Sequence, residues 1–433
     1  MTAMTDCLHL AASDIEPTAD FARWCDSHDP LAAFRDEFHM PAGPDGRPVA
    51  YLVGNSLGLQ PKAVRKLVTE ELDDWARLGV EGHVQSRRPW VSYHELFRDG
   101  LAMLAGARPS EVVAMNTLTV NLHLMMATFW QPKGRRCRII IEKGAFPSDT
   151  YAVRSHVAAR GMDPGAVVVE VAPREGESCL RDSDIIDAIL REGDALALVM
   201  LGGVNYYTGQ VLDMPRITRA ARDAGARCGW DLAHAIGNVE LRLHDWDADF
   251  ACWCSYKYLN GGPGAVAGAF IHDRHAREFG LPRLAGWWSH EPSRRFEMRP
   301  ELVLAEGADG WAVSNPPILS LAPLLASFDI FRRAGLERLR AKARAMTAYM
   351  EACLRSAAGG RFRILTPAAS ASRGAQLSIE VSGGTSAARA LYDRLAPAGV
   401  LCDFRHPSVI RAAPAPLYCS FADCRRLIDA LLA

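Results

Sequence analysis

Short apolar runs alternate with helix-like segments through the middle of the chain. Between about residues 96 and 275 the apolar runs predict strands, at 111–115, 138–142, 167–171, 196–201, 227–231, 250–255 and 265–271. Most are separated by segments with helical spacing of apolar residues, at 148–160, 182–192 and 214–225. This alternation predicts an α/β fold, a mainly parallel seven-stranded sheet with helices on both faces. The connection between the last two strands is too short for a crossover, so we expect that edge to be antiparallel.

The segments on either side of this region have a different pattern. Residues 1–50 predict an N-terminal arm, or part of a small domain, with a helix at 32–38, and a further helix is expected at 63–78. Residues 79–95 have no clear period, which is more typical of a binding loop. Residues 317–358 predict a long helix broken near Gly335. Later strands and helices alternate to the end of the chain, at 362–365, 376–381, 385–396, 409–411 and 420–432.

We therefore expect three parts along the chain. Residues 1–50 form the arm, residues 51–316 form a large domain, and residues 317–433 form the long helix and a smaller α+β domain. Ligands of such parallel sheets bind outside the carboxyl ends of the strands. A functional site is thus expected in the large domain.

Composition narrows the class of protein. The 433 residues are 49% hydrophobic and 23% charged, which is typical of a globular protein with a large core. The net charge is −1 and no basic patch is present, so neither nucleic acid nor an anionic membrane is an expected partner. The apolar runs are too short to span a bilayer. The 11 cysteines lack framework spacing and the N-terminus does not resemble a signal peptide, so we expect a cytoplasmic protein.

A single lysine follows the predicted strand at 250–255. Lys257 stands between Tyr256 and Tyr258, and a loop rich in glycine follows at 261–264. An amine at the mouth of a buried strand can be desolvated, which lowers its pKa and frees the neutral form to attack a carbonyl group. From this stretch alone, a surface lysine in a hairpin turn is an equally good interpretation.

The stretch MNTLTVNLH, at 115–123, lies between a predicted strand and a helix predicted at 121–129. Thr117 and Thr119 stand where that helix begins. A helix N-terminus with hydroxyl groups and free backbone N–H groups can hold a phosphate. Ordinary N-capping by threonine explains the same residues, so both interpretations stay open at this point.

Two further motifs place an acidic residue after a strand. Asp231 ends one strand and is followed by His234. A buried carboxylate needs a cationic partner, which a protonated pyridine nitrogen would supply, whereas helix capping is the simpler alternative. In FPSD, at 146–149, Phe146 could lie against a flat ring, and Ser148 and Asp149 could cap the next helix.

Taken together, these motifs indicate a pyridoxal phosphate site. They supply a phosphate cup, an aromatic face, a strand-end aspartate and a later lysine. In such a site the lysine forms a Schiff base, and the aspartate keeps the pyridine ring protonated so that the ring accepts electrons. Each motif is weak evidence alone, but four of them in one alternating α/β domain are strong evidence.

The same stretches resemble the kynureninase family within the fold-type I pyridoxal phosphate enzymes. DLAHAIGN (231–238), SYKYLNGGPG (255–264) and SNPPI (314–318) carry the resemblance. It extends over about residues 50–420, with further matches in YLVGNSLGLQPK, GHVQSRRPW, VNYYTGQ, GWWSHE and VIRAAPAPLY. Cysteine desulfurases, which are related, carry a histidine just before the lysine, whereas this chain has Tyr256. One position departs from the family pattern: a hydroxyl residue usually stands where this chain has Gly202.

The resemblance implies pyridoxal 5'-phosphate as cofactor and a role for each matching residue. Lys257 should form the Schiff base, Asp231 should pair with the pyridine nitrogen, and Tyr256 should contact the phosphate and assist proton transfer. The remaining cofactor contacts should come from residues of the matched motifs, namely Leu118, Thr119, Phe146, Pro147, Ser148, Asp149 and His234. Trp287 and Asn315 should reach the cofactor from the neighbouring subunit, which implies a homodimer.

The resemblance also implies the substrate contacts and the reaction. Arg411 should hold the α-carboxylate of the substrate, for which a guanidinium group is well suited. His83, Ser314 and Asn315 should surround its aryl end. The implied reaction is hydrolysis of the Cβ–Cγ bond of L-kynurenine, or of its 3-hydroxylated form, to the corresponding anthranilate and L-alanine in tryptophan catabolism.

Two alternatives to this function stay open. One is another fold-type I enzyme, such as a cysteine desulfurase-like enzyme or an aminotransferase, against which Tyr256 and the SNPPI motif argue. The other is a non-catalytic regulator that keeps the fold and binds the cofactor. The sequence contains no visible DNA-binding module, which disfavours the regulator.

Overall fold

A seven-stranded sheet forms the centre of the protein. The computed structural model describes residues 6–433 except residues 9, 11, 277, 279 and 358. The strands are β1 (Ala50–Tyr51), β2 (Val112–Ala114), β3 (Arg138–Glu142), β4 (Val168–Val171), β5 (Leu196–Gly202), β6 (Arg227–Asp231), β7 (Phe250–Trp253), β8 (Gly268–Ile271), β9 (Phe362–Ile364), β10 (Leu377–Val381), β11 (Val400–Leu401), β12 (Asp403–Arg405) and β13 (Val409–Ala412).

The α-helices cover both faces of the central sheet. They are α1 (Ala19–Ser27), α2 (Val64–Leu78), α3 (Gly82–Gln85), α4 (Arg98–Ala105), α5 (Leu118–Phe129), α6 (Pro147–Ala159), α7 (Pro164–Val167), α8 (Asp182–Glu192), α9 (Met214–Asp223), α10 (Ile318–Ala334), α11 (Leu336–Ala357), α12 (Gly384–Leu395) and α13 (Phe421–Leu432). No described helix is both long enough and apolar enough to cross a lipid bilayer.

The central sheet has the strand order β2-β8-β7-β6-β5-β3-β4. The neighbouring strands β7 and β6, β6 and β5, β5 and β3, and β3 and β4 pair in parallel, whereas β8 is antiparallel to both β7 and β2. The predicted parallel sheet is therefore confirmed, and so is the antiparallel pairing of its last two strands. The expectation that this pair forms the edge is wrong, because β2 adds outside β8. Strand β2 pairs with β8, which lies far along the chain. Such a pairing leaves no signal in the short connection between β7 and β8, from which the edge was predicted.

Alternate residues of the strands are buried on opposite faces of this sheet. In β3, Ile139 and Ile141 pack with α5 and α6, whereas Ile140 packs on the other side with α8 and α9. Burial of both faces explains why the strands are nearly continuous apolar runs without a polar face.

The C-terminal part is built on a second, antiparallel sheet with the order β12-β13-β10-β9. It follows the long helical segment, which is divided into α10 and α11 at Gly335. Gly335 has a φ of 79°, a left-handed conformation that a glycine adopts without strain, so the predicted break is confirmed.

The N-terminal residues pack on this C-terminal part. Strand β1 pairs with β11, and Asp26 accepts hydrogen bonds from the first backbone N–H groups of α13, at 2.7 Å from Phe421 and 2.9 Å from Ala422. The helix expected at 32–38 is a 3-10 helix, Ala32–Glu37. Residues 79–95 are more regular than expected, since they contain α3 and the start of a 3-10 helix, Trp90–Phe97.

Candidate active site

A cavity of about 250 Å³ opens at the carboxyl ends of the parallel strands. The last residues of three neighbouring strands, Glu142, Gly202 and Asp231, line it. The helix N-termini and loops that follow the strands complete its wall, with Thr117, Leu118, Thr119, Phe146, Ser148, Asp149, Val204, Tyr206, Ala233, His234, Tyr256 and Lys257. The fold thus gathers into one cavity four motifs that are far apart in the sequence.

Lys257 lies in the loop after β7. Its Nζ is 3.1 Å from Nε2 of His234. The loop is closed by Asn260, which has a left-handed φ of 53° and whose backbone N–H donates to the carbonyl of Lys257 at 3.0 Å. Gly58 packs against the outside of the loop and donates from its backbone N–H to the carbonyl of Tyr256 at 2.8 Å. A side chain at Gly58 would collide with the backbone of Lys257, so the glycine allows the close approach that holds the loop.

His234 is buried beside the lysine. Burial, together with the positive charge of Lys257, holds the pKa of His234 well below its ordinary value, so the imidazole is neutral near pH 7. Its second ring nitrogen, Nδ1, is buried and has no hydrogen-bond partner among the described residues. A buried polar atom without a partner is costly, and here it marks a place where a bound molecule can make a contact.

Three carboxyl groups meet at one end of the cavity, those of Glu142, Asp149 and Asp231. We call these three residues the acidic end of the cavity. Burial, reinforced by the charge of Asp231, raises the pKa of Asp149 well above its ordinary value. Burial raises the pKa of Glu142 to about 7, although a hydrogen bond from Asn205 opposes the shift. No described cationic side chain forms an ion pair with any of the three, so the acidic end is suited to bind a positively charged group.

Another part of the wall is formed by the N-terminus of α5. Thr117 is its N-cap residue in an extended conformation, but the threonine side chain makes no capping hydrogen bond. Leu118 and Thr119, in the first turn, line the cavity. The simple capping interpretation is therefore not supported for Thr117, and the first N–H groups of the helix remain suited to an anion.

Phe146 lies at the start of α6 with its side chain 40% exposed. Its ring centroid is 5.1 Å from that of Tyr206 and 5.9 Å from Nζ of Lys257. The prediction that Ser148 and Asp149 cap this helix is wrong, because Phe146 is the N-cap residue and Pro147 occupies the first helical position. Proline needs no partner for a backbone N–H, which explains a start without a side-chain cap. Ser148 instead donates to the carboxyl group of Asp149 at 3.3 Å.

Asp231 does form the local contact that the capping interpretation expected. Its carboxylate accepts a hydrogen bond of 2.6 Å from the backbone N–H of Ala233. The same carboxylate lines the cavity. The turn therefore orients the side chain without removing it from the site.

Six of the residues proposed from the family resemblance do not line this cavity. His83 packs against the ring of Trp90, with 5.5 Å between ring centroids. Ser314 and Asn315 line a separate cavity of about 240 Å³ beside Trp288. Trp287 has 42% of its surface exposed. Within one chain, these side chains are thus separate from Lys257.

The other two such residues are Pro147, which begins α6, and Arg411, which is almost completely buried, with 1% of its surface exposed. Its guanidinium group is ion-paired with Asp403 and donates to the carbonyl of Tyr206, whose side chain lines the cavity. Arg411 also contributes to the lowered pKa of His234, so it lies close to the cavity wall.

Sequence reasoning missed Glu142 and Tyr206. Glu142 ends the apolar run RIIIE in the same way that Asp231 ends its strand, so the rule that selected Asp231 could also have selected Glu142. Tyr206 lies in the stretch VNYYTGQ, which carried no chemical signal beyond its resemblance. Only the fold places this tyrosine against Phe146.

Comparisons with known proteins agree over nearly the whole chain. Residues 339–431 match the family described as "Kynureninase C-terminal domain". A protein named kynureninase from Koribacter versatilis is 51% identical, covering 98% of this chain and 99% of the relative. Another, from Myxococcus xanthus, is 53% identical, covering 96% of this chain and 97% of the relative.

Solved structures with a similar fold are much more distant in sequence. C-DES, solved as a mutant with glycine covalently linked to its PLP cofactor, has a TM-score of 0.75 at 19% identity, covering 92% of this chain and 98% of that chain. The apo cysteine desulfurase from Thermococcus onnurineus has a TM-score of 0.73 at 18% identity, covering 92% and 96%. These likenesses show that the fold is that of the fold-type I enzymes, as expected from the sequence.

Proposed function

The chain belongs to the kynureninase family, and we propose that it hydrolyses the Cβ–Cγ bond of L-kynurenine to anthranilate and L-alanine with pyridoxal 5'-phosphate as cofactor. One observation carries the proposal: a chain 51% identical to proteins named kynureninase brings Lys257, Asp231 and the N-terminus of α5 into one cavity. The likeness to cysteine desulfurases concerns the fold, which by itself does not decide the reaction.

The residues that line the cavity fit pyridoxal phosphate in charge and shape. The acidic end has no cationic partner among the described residues, and a protonated pyridine nitrogen would supply one. The N-terminus of α5 is suited to the phosphate. The exposed ring of Phe146 lies within reach of Lys257 and is suited to cover a flat ring.

Lys257 and His234 are the proposed centre of proton transfer. The bound cofactor supplies an electron sink for the carbanions of the reaction. Lys257 would hold the cofactor covalently, and its amine, once free, would accept the Cα proton of the substrate. Neutral His234 can accept a hydrogen bond from Nζ at the observed 3.1 Å, which fixes the position of that amine. Asp231 would hold a proton on the ring nitrogen of the cofactor.

Tyr256 and Arg411 are proposed to act on the substrate. Burial raises the pKa of Tyr256 far above its ordinary value, so the phenol keeps the proton that Cβ needs when the bond breaks. Arg411 is proposed to bind the α-carboxylate. Because its guanidinium group is already paired with Asp403, the substrate carboxylate must share that group with Asp403 or displace it.

The reaction is tested with purified protein loaded with pyridoxal phosphate. Incubation with L-kynurenine should release anthranilate, followed by its fluorescence, and an equal amount of alanine. The 3-hydroxylated substrate in a parallel assay gives the substrate preference. Formation of alanine from cysteine, with sulfide released when a thiol reductant is added, and no anthranilate from either kynurenine would replace this proposal with desulfurase activity.

We also propose a homodimer in which Trp287 and Asn315 reach the cavity of the partner. Both residues lie outside the cavity of their own chain, and Trp287 is 42% exposed. Apolar side chains of α2 and the following turn, including Trp75 and Val80, are also exposed at 59% and 76%.

Complementation tests this arrangement. The variants Lys257→Ala and Trp287→Ala should each lose activity, but unfolding and refolding them together should restore roughly a quarter of the wild-type rate, because half of the mixed dimers' sites are intact. Separate refolding of each variant is the control. No recovery in dimers shown by sedimentation to be mixed would place both residues in one chain's site.

We also propose that the protein is cytoplasmic. We further propose that residues 51–316 and residues 317–433 form separate domains. All 11 cysteines are free thiols, which suits a reducing compartment. Cell fractionation checks the location, and limited proteolysis checks whether cleavage concentrates near residue 317.

A further inference from the structure

Glu142 is a third carboxyl group at the acidic end of the cavity, beside the two aspartates already discussed. We propose that Glu142 is a positioning residue for the cofactor ring, which takes up or releases a proton through a second cavity and so sets the charge beside Asp231. The inference rests on the proposed function, because it assigns a role toward the cofactor of that site. It adds a residue that the family resemblance did not assign.

The position of Glu142 is fixed by the fold. It is the last residue of β3 and only 4% of its surface is exposed. Its carboxyl group accepts a hydrogen bond from the side-chain amide of Asn205 at 3.2 Å. No cationic side chain among the described residues offsets its charge. A carboxyl group in these surroundings is more stable with its proton than without it.

Glu142 lies between two cavities. The first holds Asp149 and Asp231, and the second, of about 240 Å³, is lined by Glu142 together with Lys143, Asn205 and Tyr207. Asp149 and Asp231 line only the first cavity. Glu142 is therefore the member of the acidic end that can exchange a proton with water on the far side.

The surrounding charges determine what this exchange does. The charge of Asp231, from β6, disfavours the ionised form of Glu142, and the charge of Glu142 disfavours the ionised form of Asp149, from α6. The first cavity is also lined by His234, Tyr256 and Lys257. In the second cavity, Lys143 and the two tyrosines Tyr206 and Tyr207 are the other titratable groups.

A single pyridinium can offset only one of three negative charges. With protons on Glu142 and Asp149, neither of these groups adds a negative charge beside Asp231. Burial raises the pKa of Glu142 to about 7, so its proton is released within the neutral range. A second negative charge then attracts the protonated ring, and linkage requires that cofactor binding in turn favours release of this proton.

Gly202 gives the carboxyl group of Glu142 its room. A Cβ at position 202 would lie 3.2 Å from Oε1 of Glu142. This is the position where the family usually has a hydroxyl residue. A serine here would donate a hydrogen bond to the ionised carboxylate and lower its pKa.

The main test compares the wild-type protein with Glu142→Gln. Affinity for pyridoxal phosphate is measured for both proteins by equilibrium dialysis across the neutral range. Up to about pH 7, the affinity of the wild type should rise more steeply with pH than that of the variant, with a difference in slope of up to about tenfold per pH unit. Glu170→Gln is the matched control, since Glu170 pairs with β3 from the neighbouring strand but is solvent-exposed. Identical pH dependence in the wild type and Glu142→Gln overturns the proposal.

A second measurement needs no cofactor. Infrared difference spectra of the apoprotein across the neutral range should show the carbonyl stretch of a protonated carboxyl group in the wild type, and this band should be lost in Glu142→Gln. A wild-type protein that binds no cofactor yet shows this band would contradict the proposed function alone. Absence of the band in the wild type would contradict the role of Glu142 alone.

Variants at position 202 test the same carboxyl group if Glu142→Gln does not fold. Gly202→Ser and Gly202→Ala both add a Cβ, and only the serine adds a hydroxyl. The infrared midpoint should lie about one pH unit lower in Gly202→Ser than in Gly202→Ala. Equal midpoints in the two variants would show that position 202 does not act on Glu142 and would overturn the proposed geometry.

Discussion

The two ends of the central sheet both carry buried carboxyl groups, but in opposite electrostatic states. At the carboxyl ends of the strands, Glu142 and Asp149 have raised pKa values and no cationic partner among the described residues. At the amino end of β7, Asp249 accepts hydrogen bonds from the backbone N–H of Cys228 at 2.7 Å, from Arg274 at 2.9 Å and from His275 at 2.7 Å.

The pKa values follow from these partners. Burial alone would raise the pKa of Asp249, but the hydrogen bond from His275 and the charge of Arg274 outweigh burial and lower it to about 2. Burial without a cation raises the pKa of Glu142 to about 7. Burial is thus common to both groups, and the partners decide the sign of the shift.

The difference separates a polar cluster that stabilises the fold from one that awaits a ligand. The partners of Asp249 satisfy its carboxylate, so this carboxylate needs no further ligand. The acidic end of the cavity has no cationic partner among the described residues and is therefore suited to a positively charged group from outside. Three predictions test this distinction.

The largest effect is expected for Lys257→Ala. Turnover should fall by at least about 10²–10⁴-fold, because the variant lacks the proposed proton acceptor. The visible absorption of the covalently held cofactor should disappear as well. Thermal melting should stay close to that of the wild-type apoprotein, since Lys257 is not part of a completed polar cluster. Turnover at the wild-type rate would remove Lys257 from the mechanism.

The next effect is expected for Asp249→Asn, measured by urea denaturation. Loss of the charge leaves Arg274 without its buried partner and should lower the free energy of unfolding by about 3–5 kcal/mol at neutral pH. In the wild type the depressed pKa of Asp249 contributes about 2 kcal/mol above pH 4, and this contribution is lost as pH falls toward 2. The variant should lack that part of the acid sensitivity, and wild-type stability in the variant would show that the cluster is dispensable.

The smallest effect, with the opposite sign, is expected for Glu142→Gln in the apoprotein. Because the folded-state pKa of Glu142 is raised, the wild type loses stability as pH rises from about 4.5 to about 7. The glutamine variant has no proton to lose at this position. The difference in free energy of unfolding between variant and wild type should therefore be more favourable to the variant at pH 8 than at pH 5, by up to about 3 kcal/mol. Urea denaturation at both pH values measures the difference. Parallel pH profiles would mean that Glu142 is not buried in its neutral form.

Much of the fold could be predicted because its signals are local. Apolar runs flanked by helical periods gave the seven strands and their covering helices, and Gly335 marked the break between α10 and α11. The edge position of β2 could not be predicted, because it depends on pairing with β8 across more than a hundred residues. The start of α6 was mispredicted because Pro147 removes the need for the side-chain cap that Ser148 and Asp149 suggested.

The candidate site was predicted where a residue has both a chemical signal and a place at a strand end. Lys257, Asp231 and His234 meet both conditions and line the cavity. Glu142 has the same signal but was not selected. Arg411 was assigned by resemblance, and its pairing with Asp403 could not be read from the sequence because β12 and β13 meet only in the folded chain.

The sequence by itself determined the α/β class, the cofactor chemistry and the family, because strand periodicity and short motifs are written in neighbouring residues. Only the tertiary structure decided which carboxyl groups share one cavity and which are neutralised by protein cations. Asp249 and Glu142 look alike in the sequence, since each adjoins a buried strand. Their opposite pKa shifts arise from partners brought in by the fold, because electrostatic interactions depend on distance in space and on burial.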